Sequence, residues 1–447
     1  MPADAPTYSL APRAFRPASA RLGPDGWEVG GVRLAEVAAE VGTPVWVLDI
    51  GEVRLRLRRL IEACARHWPV DSKVLFASKA HGHPAIARAM LDGGAGIETV
   101  SVGEIEAAIA AGVPGEAIVL QGHGRTDEDY TRALALGVRR VHVDARDEVP
   151  RVAAAAAAAG VDVDVLVRVL PGIKADTHPA LATGVRDSKF GLPEGPELDA
   201  AIQSVLAAPH LCLVGLQLHT GSQIHDTETF AATGAVAGRI AADLRLRLGW
   251  TPACVDLGGG LAVPYGPDDP APTPEAWIAA LAEGFARGWP DPPATWPALV
   301  VEPGRWLVGT AGCTIYTVLS VKEANDCVIL DGGLADNPRV ALYEARYVNE
   351  PVSGADSSAA RPWRLVGRTC EEGDELGSGM LAGPRPGDRI VGWVGGAYHY
   401  AMASRYNRLP RPPLVLVAGG RRAIASRREV SADLMATEAA HPEWSGP

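Results

Sequence analysis

The chain has 447 residues, 47% of them apolar, and its 42 basic and 53 acidic side chains leave a net charge of −11. This length exceeds what a single hydrophobic core usually supports, so two domains are expected. The acidic balance, without any block rich in lysine or arginine, excludes the class of proteins that bind a nucleic-acid backbone.

Cysteine usage and hydropathy indicate the compartment. The six cysteines are scattered, with no CxxC pair and no spacing typical of metal ligands, as in proteins that keep buried thiols in a reducing cytoplasm. Residues 1–30 lack the apolar core of a signal peptide, and no run of about 18 apolar residues occurs that could cross a membrane. We therefore expect a soluble cytoplasmic protein with no metal site and no membrane partner.

Residues 44–305 alternate short apolar runs with longer helical patterns. Eight such strand–helix units over about 260 residues predict a closed (β/α)8 barrel of the TIM type. An open doubly wound sheet is the alternative. The predicted strands are Lys73–Ala77, Gly96–Val100, Ala117–Leu120, Arg139–Val143, Val161–Val169, Leu211–Leu218, Ala253–Leu257 and Ala298–Val301.

The pattern changes after Arg305. Short runs of alternating apolar residues are separated by glycine and proline turns, which predicts an antiparallel β domain. Residues 345–363 are predicted to form a solvated loop, and residues 26–48 could add a strand to this domain. We accordingly divide the chain into an N-terminal segment of the β domain (residues 1–45), the barrel (residues 46–308) and the C-terminal β domain (residues 309–447).

Polar side chains follow the predicted barrel strands at their C-terminal ends, where the catalytic groups of such barrels gather. We therefore expect these side chains to lie close together. They are Lys79 after the first strand, Glu98 at the end of the second, His219 and Ser222 after the sixth, Gly258–Gly260 after the seventh, and Glu302 and Arg305 after the eighth.

These residue types suit an aldehyde cofactor that carries a phosphate. An amine such as Lys79 forms an imine with an aldehyde, and an imidazole such as His219 can stack on a flat ring. Glycines between a strand and a helix let backbone N–H groups approach a phosphate. A carboxylate such as Glu302 keeps a pyridine nitrogen protonated, which makes the ring a strong electron sink. Each residue also has a structural alternative. The glycines could form a tight turn, His219 could be a structural histidine, and Glu302 could form a buried ion pair with Arg305.

Two groups beyond the barrel also carry chemistry. Cys370 is a candidate proton donor, beside Glu371 and Asp374, whose carboxylates could bind an ammonium group. Arg339 and Tyr343 are four residues apart, so on a helical turn they face the same way. A buried thiol and a surface pair are the respective alternatives.

In this order, the motifs resemble those of the fold-type III pyridoxal-phosphate decarboxylases, and most closely the diaminopimelate decarboxylases. The resemblance extends from about Val29 to Val430. It rests on Phe76-Ala-Ser-Lys79, His219-Thr-Gly-Ser-Gln-Ile224, Asp256-Leu-Gly-Gly-Gly260, Val301-Glu-Pro-Gly-Arg305, Asp336-Asn-Pro-Arg339, Cys370-Glu-Glu-Gly-Asp374 and Gly395-Gly-Ala-Tyr398.

The resemblance implies an alanine racemase-like fold, in which a barrel that binds pyridoxal 5′-phosphate is joined to a β-barrel domain. It implies a carboxy-lyase that converts meso-diaminopimelate to L-lysine and carbon dioxide in lysine biosynthesis. Departures from the family pattern at His81, Glu372 and His399 favour an alternative, a related decarboxylase acting on another amino acid with a distal polar or carboxylate group in a polyamine, siderophore or antibiotic pathway. A non-catalytic homologue that binds a partner is a third hypothesis, which the presence of Lys79 and Cys370 disfavours.

The resemblance also assigns roles to residues. Lys79 forms the imine, Glu302 pairs with the ring nitrogen, and Cys370 or Lys79 returns a proton to the substrate. Cys370 and Glu371 reach into the partner's site of a head-to-tail homodimer. The implied cofactor contacts are Lys79, His219, Ser222, Gly259, Gly260, Glu302, Gly304, Arg305 and Tyr398, and the implied substrate contacts are Arg305, Arg339, Tyr343, Glu371 and Tyr398.

Overall fold

The computed structural model describes residues 14–174, 183–185, 188–354, 359–439 and 441. It divides into two compact units, of which the first contains residues 53–309 and the second contains residues 15–52 and the chain from residue 310 onward. The domain boundary expected between residues 45 and 46 falls within the buried strand Val45–Asp49. This strand pairs with Gly312–Lys322 of the second unit.

The first unit is a closed barrel of eight parallel strands in sequence order, with the eighth strand paired to the first. The closed (β/α)8 prediction is therefore confirmed and the open-sheet alternative is wrong. Each predicted strand lies within two residues of its observed position. The strands are Ser72–Ala77, Gly96–Thr99, Ile118–Leu120, Arg140–Val143, Val163–Leu170, Leu211–Leu218, Cys254–Asp256 and Ala298–Val301, with the short Leu192–Pro193 beside the fifth.

The barrel strands are buried on both faces, which is why they are nearly continuous apolar runs. Several of the helices begin with a side chain that caps a free backbone N–H group, for example Thr126, Asp226 and Thr273. The helices before, between and after the barrel strands are Ile50–His67, Pro84–Asp92, Val102–Ala110, Asp127–Ala135, Glu148–Ala159, Pro196–Ala207, Thr227–Leu248, Pro274–Gly288 and Arg305–Val308.

The second unit is a β domain in which six strands close into a ring and three more extend it through Gly312–Lys322. The ring consists of Gly312–Lys322, Cys327–Leu330, Arg361–Val366, Glu375–Leu381, Asn349–Pro351 and Arg389–Trp393, and the extension of Val45–Asp49, Leu414–Ala418 and Arg421–Ser426. Arg21–Gly23, Gly26–Val29 and Val32–Arg33 form a small separate sheet, and the helices are Leu34–Val41, Arg339–Tyr343 and Ser431–Met435.

Two expectations for this domain are corrected. The sheet is mixed and not purely antiparallel, because Val45–Asp49 pairs in parallel with Leu414–Ala418, and two pairs within the ring are also parallel. Side chains alternate along a strand in either case, so the sequence pattern does not encode strand direction. The loop predicted at residues 345–363 contains the strand Asn349–Pro351 and the start of Arg361–Val366.

Within the described part of the chain, no helix has the combination of length and apolar character that spanning a membrane requires.

Candidate active site

The amino group of Lys79 lies at the C-terminal mouth of the barrel. Lys79 is in a single 3-10 turn, Ser78–Ala80, that directly follows the first barrel strand. Its side chain is 42% exposed, and its Nζ lies 3.1 Å from Oε2 and 3.3 Å from Oε1 of Glu98, which is fully buried at the end of the second strand. The structure thus pairs an accessible amine with a carboxylate that cannot reach solvent.

Glu302 is the buried carboxylate that follows the eighth strand. Its Oε2 accepts hydrogen bonds from Nε2 of Gln217 at 3.1 Å and from Nε2 of Gln121 at 3.3 Å. Its Oε1 is buried, accepts no hydrogen bond from an N–H group of the described residues, and lies 4.0 Å from Nδ1 of His142, near the carboxyl group of Asp256. Because a buried acceptor without a donor is unfavourable, Oε1 is suited to a ligand that brings an N–H group.

The surroundings of Glu302 strongly disfavour its charge. Burial raises the pKa of Glu302 well above its ordinary value, and the nearby Asp256 and Glu98 raise it further, while Lys79 opposes them. Burial also raises the pKa of Asp256, which ends the seventh strand, to about 7. A cation bound beside Glu302 would therefore stabilise its ionised form.

His219 follows the sixth strand and presents a neutral imidazole. Its Nδ1 accepts a hydrogen bond from the backbone N–H of Gly259 at 3.3 Å, so this nitrogen carries no proton. Burial lowers the pKa of His219 well below its ordinary value, and the cations Arg168 and Lys79 lower it further. An uncharged ring of this kind can stack on a flat ligand without adding positive charge to the site.

The glycine loop after the seventh strand packs closely against the segment that carries Ser222. Gly260 has a φ of +102°, and a Cβ atom here would collide with the carbonyl oxygen of Gly221. Arg305 donates to the hydroxyl oxygens of Tyr265 at 2.7 Å and Ser222 at 3.1 Å. Backbone N–H groups, a hydroxyl and a guanidinium together form the type of site that binds a phosphate.

Gly304 lets the loop after the eighth strand approach the lysine turn. A Cβ atom at this position would lie 3.1 Å from the Cβ atoms of both Ala77 and Ala80. Any larger residue would therefore push this loop away from the turn that carries Lys79.

Replacing Gly260 by alanine is expected to lower the free energy of unfolding by roughly 1–3 kcal/mol, because alanine is strained at this φ and its methyl group meets a backbone oxygen. Chemical denaturation would measure the loss. Gly249→Ala is the matched control, since Gly249 also has a positive φ, +64°, but has no atom within 4 Å of the added Cβ. Equal losses in the two variants would show that the contact with Gly221 is unimportant.

The second unit holds a separate group of the predicted residues around Arg339, which is buried. Its Nε donates to the hydroxyl of Tyr347 at 3.1 Å. Its guanidinium carbon lies 5.1 Å from the ring centroids of both Tyr343 and Tyr398. Arg339 and Tyr343 thus do face the same way, on the short helix Arg339–Tyr343.

The segment that contains Cys370 lies at the surface of the second unit. Cys370 is exposed, and the carboxylate of Glu371 accepts a hydrogen bond from the hydroxyl of Tyr406. Asp374 was expected to be available to an ammonium group, but it is buried and accepts hydrogen bonds from the backbone N–H groups of Leu334 at 2.5 Å and Thr369 at 2.8 Å. Asp374 therefore stabilises the loop.

The structure separates the predicted residues into two sets. The set at the mouth of the barrel is Lys79, His219, Ser222, Gly259, Gly260, Glu302, Gly304 and Arg305, and the set in the second unit is Arg339, Tyr343, Cys370, Glu371 and Tyr398. The sequence analysis assigned no role in the site to four polar residues that lie near Glu302. They are Gln121, His142, Gln217 and Asp256, all within or directly after barrel strands, which is the signal that could have identified them.

The chain is similar to known decarboxylases in sequence and in structure. Residues 52–309 match the pyridoxal binding domain of the pyridoxal-dependent decarboxylases. A diaminopimelate decarboxylase of Actinosynnema pretiosum subsp. auranticum is 40% identical over 423 residues, with 92% of each chain covered. The diaminopimelate decarboxylase of Bacillus subtilis is 34% identical, covering 91% of this chain and 94% of the relative. The crystal structure of the M. jannaschii diaminopimelate decarboxylase in co-complex with L-lysine superposes with a TM-score of 0.87 at 29% identity, covering 95% of this chain and 99% of that one.

Proposed function

Because this chain belongs to the pyridoxal-dependent decarboxylases, we propose that it converts meso-diaminopimelate to L-lysine and carbon dioxide. The observation that carries the proposal is the buried Oε1 of Glu302, which accepts no N–H group from the described residues, at the same barrel mouth as the amine of Lys79. The substrate is proposed from the relatives that are named diaminopimelate decarboxylase and that cover nine-tenths of the chain.

The residues at the barrel mouth fit pyridoxal 5′-phosphate. Lys79 would bind its aldehyde carbon, and Oε1 of Glu302 would accept a hydrogen bond from its protonated ring nitrogen. Ser222 and Gly260 would hold its phosphate, whereas the backbone N–H of Gly259, predicted to do the same, is donated to His219. When bound, the cofactor supplies an electron sink for the electron pair that remains after carbon dioxide leaves.

The protein's own contribution is to hold charge and protons in place. Glu302 would hold the proton on the ring nitrogen, and the low polarity that destabilises its unpaired charge would strengthen its attraction to a cation. His219, neutral and beside the glycine loop, would cover the ring and keep water from it. Lys79 and Cys370 are the candidates to return a proton to the carbon that has lost its carboxylate.

The distal end of meso-diaminopimelate carries both a carboxylate and an ammonium group. We assign the carboxylate to Arg339 and Tyr343, because a guanidinium binds a carboxylate through two parallel hydrogen bonds. We assign the ammonium group to Glu371, whose carboxylate is exposed. An enzyme for substrates that lack the distal carboxylate would not need Arg339.

Replacing Arg339 by leucine is expected to lower kcat/KM for meso-diaminopimelate by roughly 10- to 100-fold, as the loss of a charged hydrogen-bond donor does. Steady-state assays of carbon dioxide release would give the ratio of kcat/KM between the variant and the wild type. Arg346→Leu, at an exposed position in the same segment, is the control and should retain the kcat/KM of the wild type.

The direct test of the proposal is carbon dioxide release by the purified enzyme from meso-diaminopimelate and from a panel of amino acids with other distal groups. Turnover of meso-diaminopimelate above all others is expected. Silence on this compound with turnover of another would favour the alternative substrate class.

We further propose a cytoplasmic homodimer. All six cysteines are free thiols, as expected in a reducing compartment. The exposure of Cys370 and Glu371 suits residues that serve a partner's site. Light scattering should give twice the 46.7 kDa mass of the chain, and a monomer with full activity would contradict this assembly.

A further inference from the structure

Two neutral amides hold one oxygen of Glu302. Gln121 directly follows the third barrel strand and Gln217 lies near the end of the sixth, and both are buried. Both donate through Nε2 to Oε2 of Glu302. The two donors come from opposite directions around the barrel, so they hold the carboxyl group at two points.

The orientation of Gln121 follows from its two partners. When Glu302 is ionised, as beside a protonated ring nitrogen, its oxygens only accept hydrogen bonds, so the amide NH2 of Gln121 faces Glu302 and the amide oxygen faces His142. The amide oxygen lies 3.1 Å from Nδ1 of His142, which must therefore carry the proton. Burial and nearby cations lower the pKa of His142 well below its ordinary value, so the ring is neutral and its Nε2 is unprotonated. The donors thus run in one direction, from His142 through Gln121 to Glu302.

This arrangement distinguishes the two oxygens of Glu302. Oε2 receives two N–H groups, whereas Oε1 receives none and is equally buried. A protonated ring nitrogen that donates a hydrogen bond to Glu302 therefore has one favourable position, at Oε1. Amides also withdraw electron density from the carboxylate, and this makes Glu302 a weaker base without adding a charge that would compete with the ring.

We propose that Gln121 and Gln217 are positioning residues that direct Oε1 of Glu302 toward the cofactor and keep the shared proton on the ring nitrogen. The inference rests on the proposed function, because it requires a pyridine ring beside Glu302. If either amide is lost, the carboxylate becomes more basic and takes the proton, and the ring becomes a weaker electron sink.

Other charged and titratable groups face Glu302 and influence the same proton. Each lies on a barrel strand or directly after one. These groups stay unchanged in all the variants below, so that their effects on the proton are the same throughout. They are Lys79 after the first strand, Glu98 on the second, His142 on the fourth, Arg168 on the fifth and Asp256 on the seventh.

The test uses holoenzyme loaded with pyridoxal phosphate labelled with ¹⁵N in the ring. Gln217→Leu and Gln121→Leu are compared with Gln203→Leu, a change at an exposed position on the helix Pro196–Ala207. The ¹⁵N chemical shift of the ring nitrogen is recorded against pH. In both site variants we expect it to move toward the value of an unprotonated pyridine, and kcat to fall roughly tenfold with KM nearly unchanged. The control should match the wild type.

A purely structural role would leave the ¹⁵N shift unchanged, and that result would overturn the inference. If a leucine variant does not fold, methionine, which has the length of glutamine but no N–H group, replaces leucine in the same comparison. Failure of the proposed function is distinguishable, because it would appear in the wild type as bound cofactor without turnover of meso-diaminopimelate. The ¹⁵N comparison between variants would then still decide the roles of Gln121 and Gln217.

Discussion

Replacing Lys79 by alanine is expected to lower kcat by roughly 10⁴-fold, because it removes both the amine that binds the cofactor covalently and a candidate proton donor. The variant should still bind pyridoxal phosphate through the glycine loop and Glu302, but without the visible absorbance band of the covalently bound form. Stopped assays of carbon dioxide release, together with absorbance spectra of the purified protein, would measure both effects.

Lys322→Ala is the matched control for this variant. Lys322 ends a strand of the second unit, so its loss should change neither the spectrum nor kcat. Retention of wild-type turnover by Lys79→Ala would contradict the role of the lysine. Loss of turnover with an unchanged spectrum would place the covalent bond elsewhere.

Replacing Glu302 by glutamine is expected to lower kcat by roughly 10²- to 10³-fold, the usual effect of removing one group that stabilises charge at a reacting centre. A neutral amide cannot hold a protonated ring nitrogen, so the electron sink weakens. The same substitution should stabilise the cofactor-free protein. It removes a buried carboxyl whose charge is opposed by Asp256 and Glu98.

The pH dependence gives this second effect a definite sign. The pKa of Glu302 is raised in the folded chain above its ordinary value of 4.5, so the folded state retains the proton to higher pH than the unfolded state. The wild-type carboxyl therefore destabilises the fold increasingly as the pH rises above the pKa that Glu302 has in the unfolded chain. Relative to the wild type, Glu302→Gln should gain no free energy of unfolding below about pH 4, and its gain should grow above about pH 5.

Chemical denaturation of the cofactor-free proteins at the two ends of this range would measure the difference. Glu283→Gln is the control, because Glu283 is 74% exposed in an ion pair with Arg287 and has no buried charge to lose. A Glu302→Gln variant that is less stable than the wild type near neutral pH would contradict this expectation. It would show that other groups of the cofactor-free protein offset the cost of burying the carboxylate.

The barrel could be predicted from the sequence because its strands and helices depend on residues that are close together in the chain. Strands covered on both faces form apolar runs such as Val163–Leu170, and the long helices between them have their own periodicity and caps. The polar residues at strand ends, among them Lys79 and Glu302, could be predicted as one group because the geometry of a closed barrel brings strand ends together.

Other features depend on contacts between distant segments and could not be predicted in this way. Gln121 and Gln217 look like ordinary polar residues in the sequence, and their role follows only from their shared contact with Glu302. The parallel pairing of Val45–Asp49 with Leu414–Ala418 joins segments more than three hundred residues apart. Asp374 sits beside Cys370 and Glu371 in the sequence, yet its burial gives it a structural role.

The central claim is the covalent bond between pyridoxal phosphate and Lys79, and one measurement tests it most directly. The holoenzyme would be reduced with borohydride, digested, and analysed by mass spectrometry. The chain has only five lysines, Lys73, Lys79, Lys174, Lys189 and Lys322, so the assignment is unambiguous. We expect the pyridoxyl group on Lys79 alone, and finding it on any of the other four, or on none, would contradict the account.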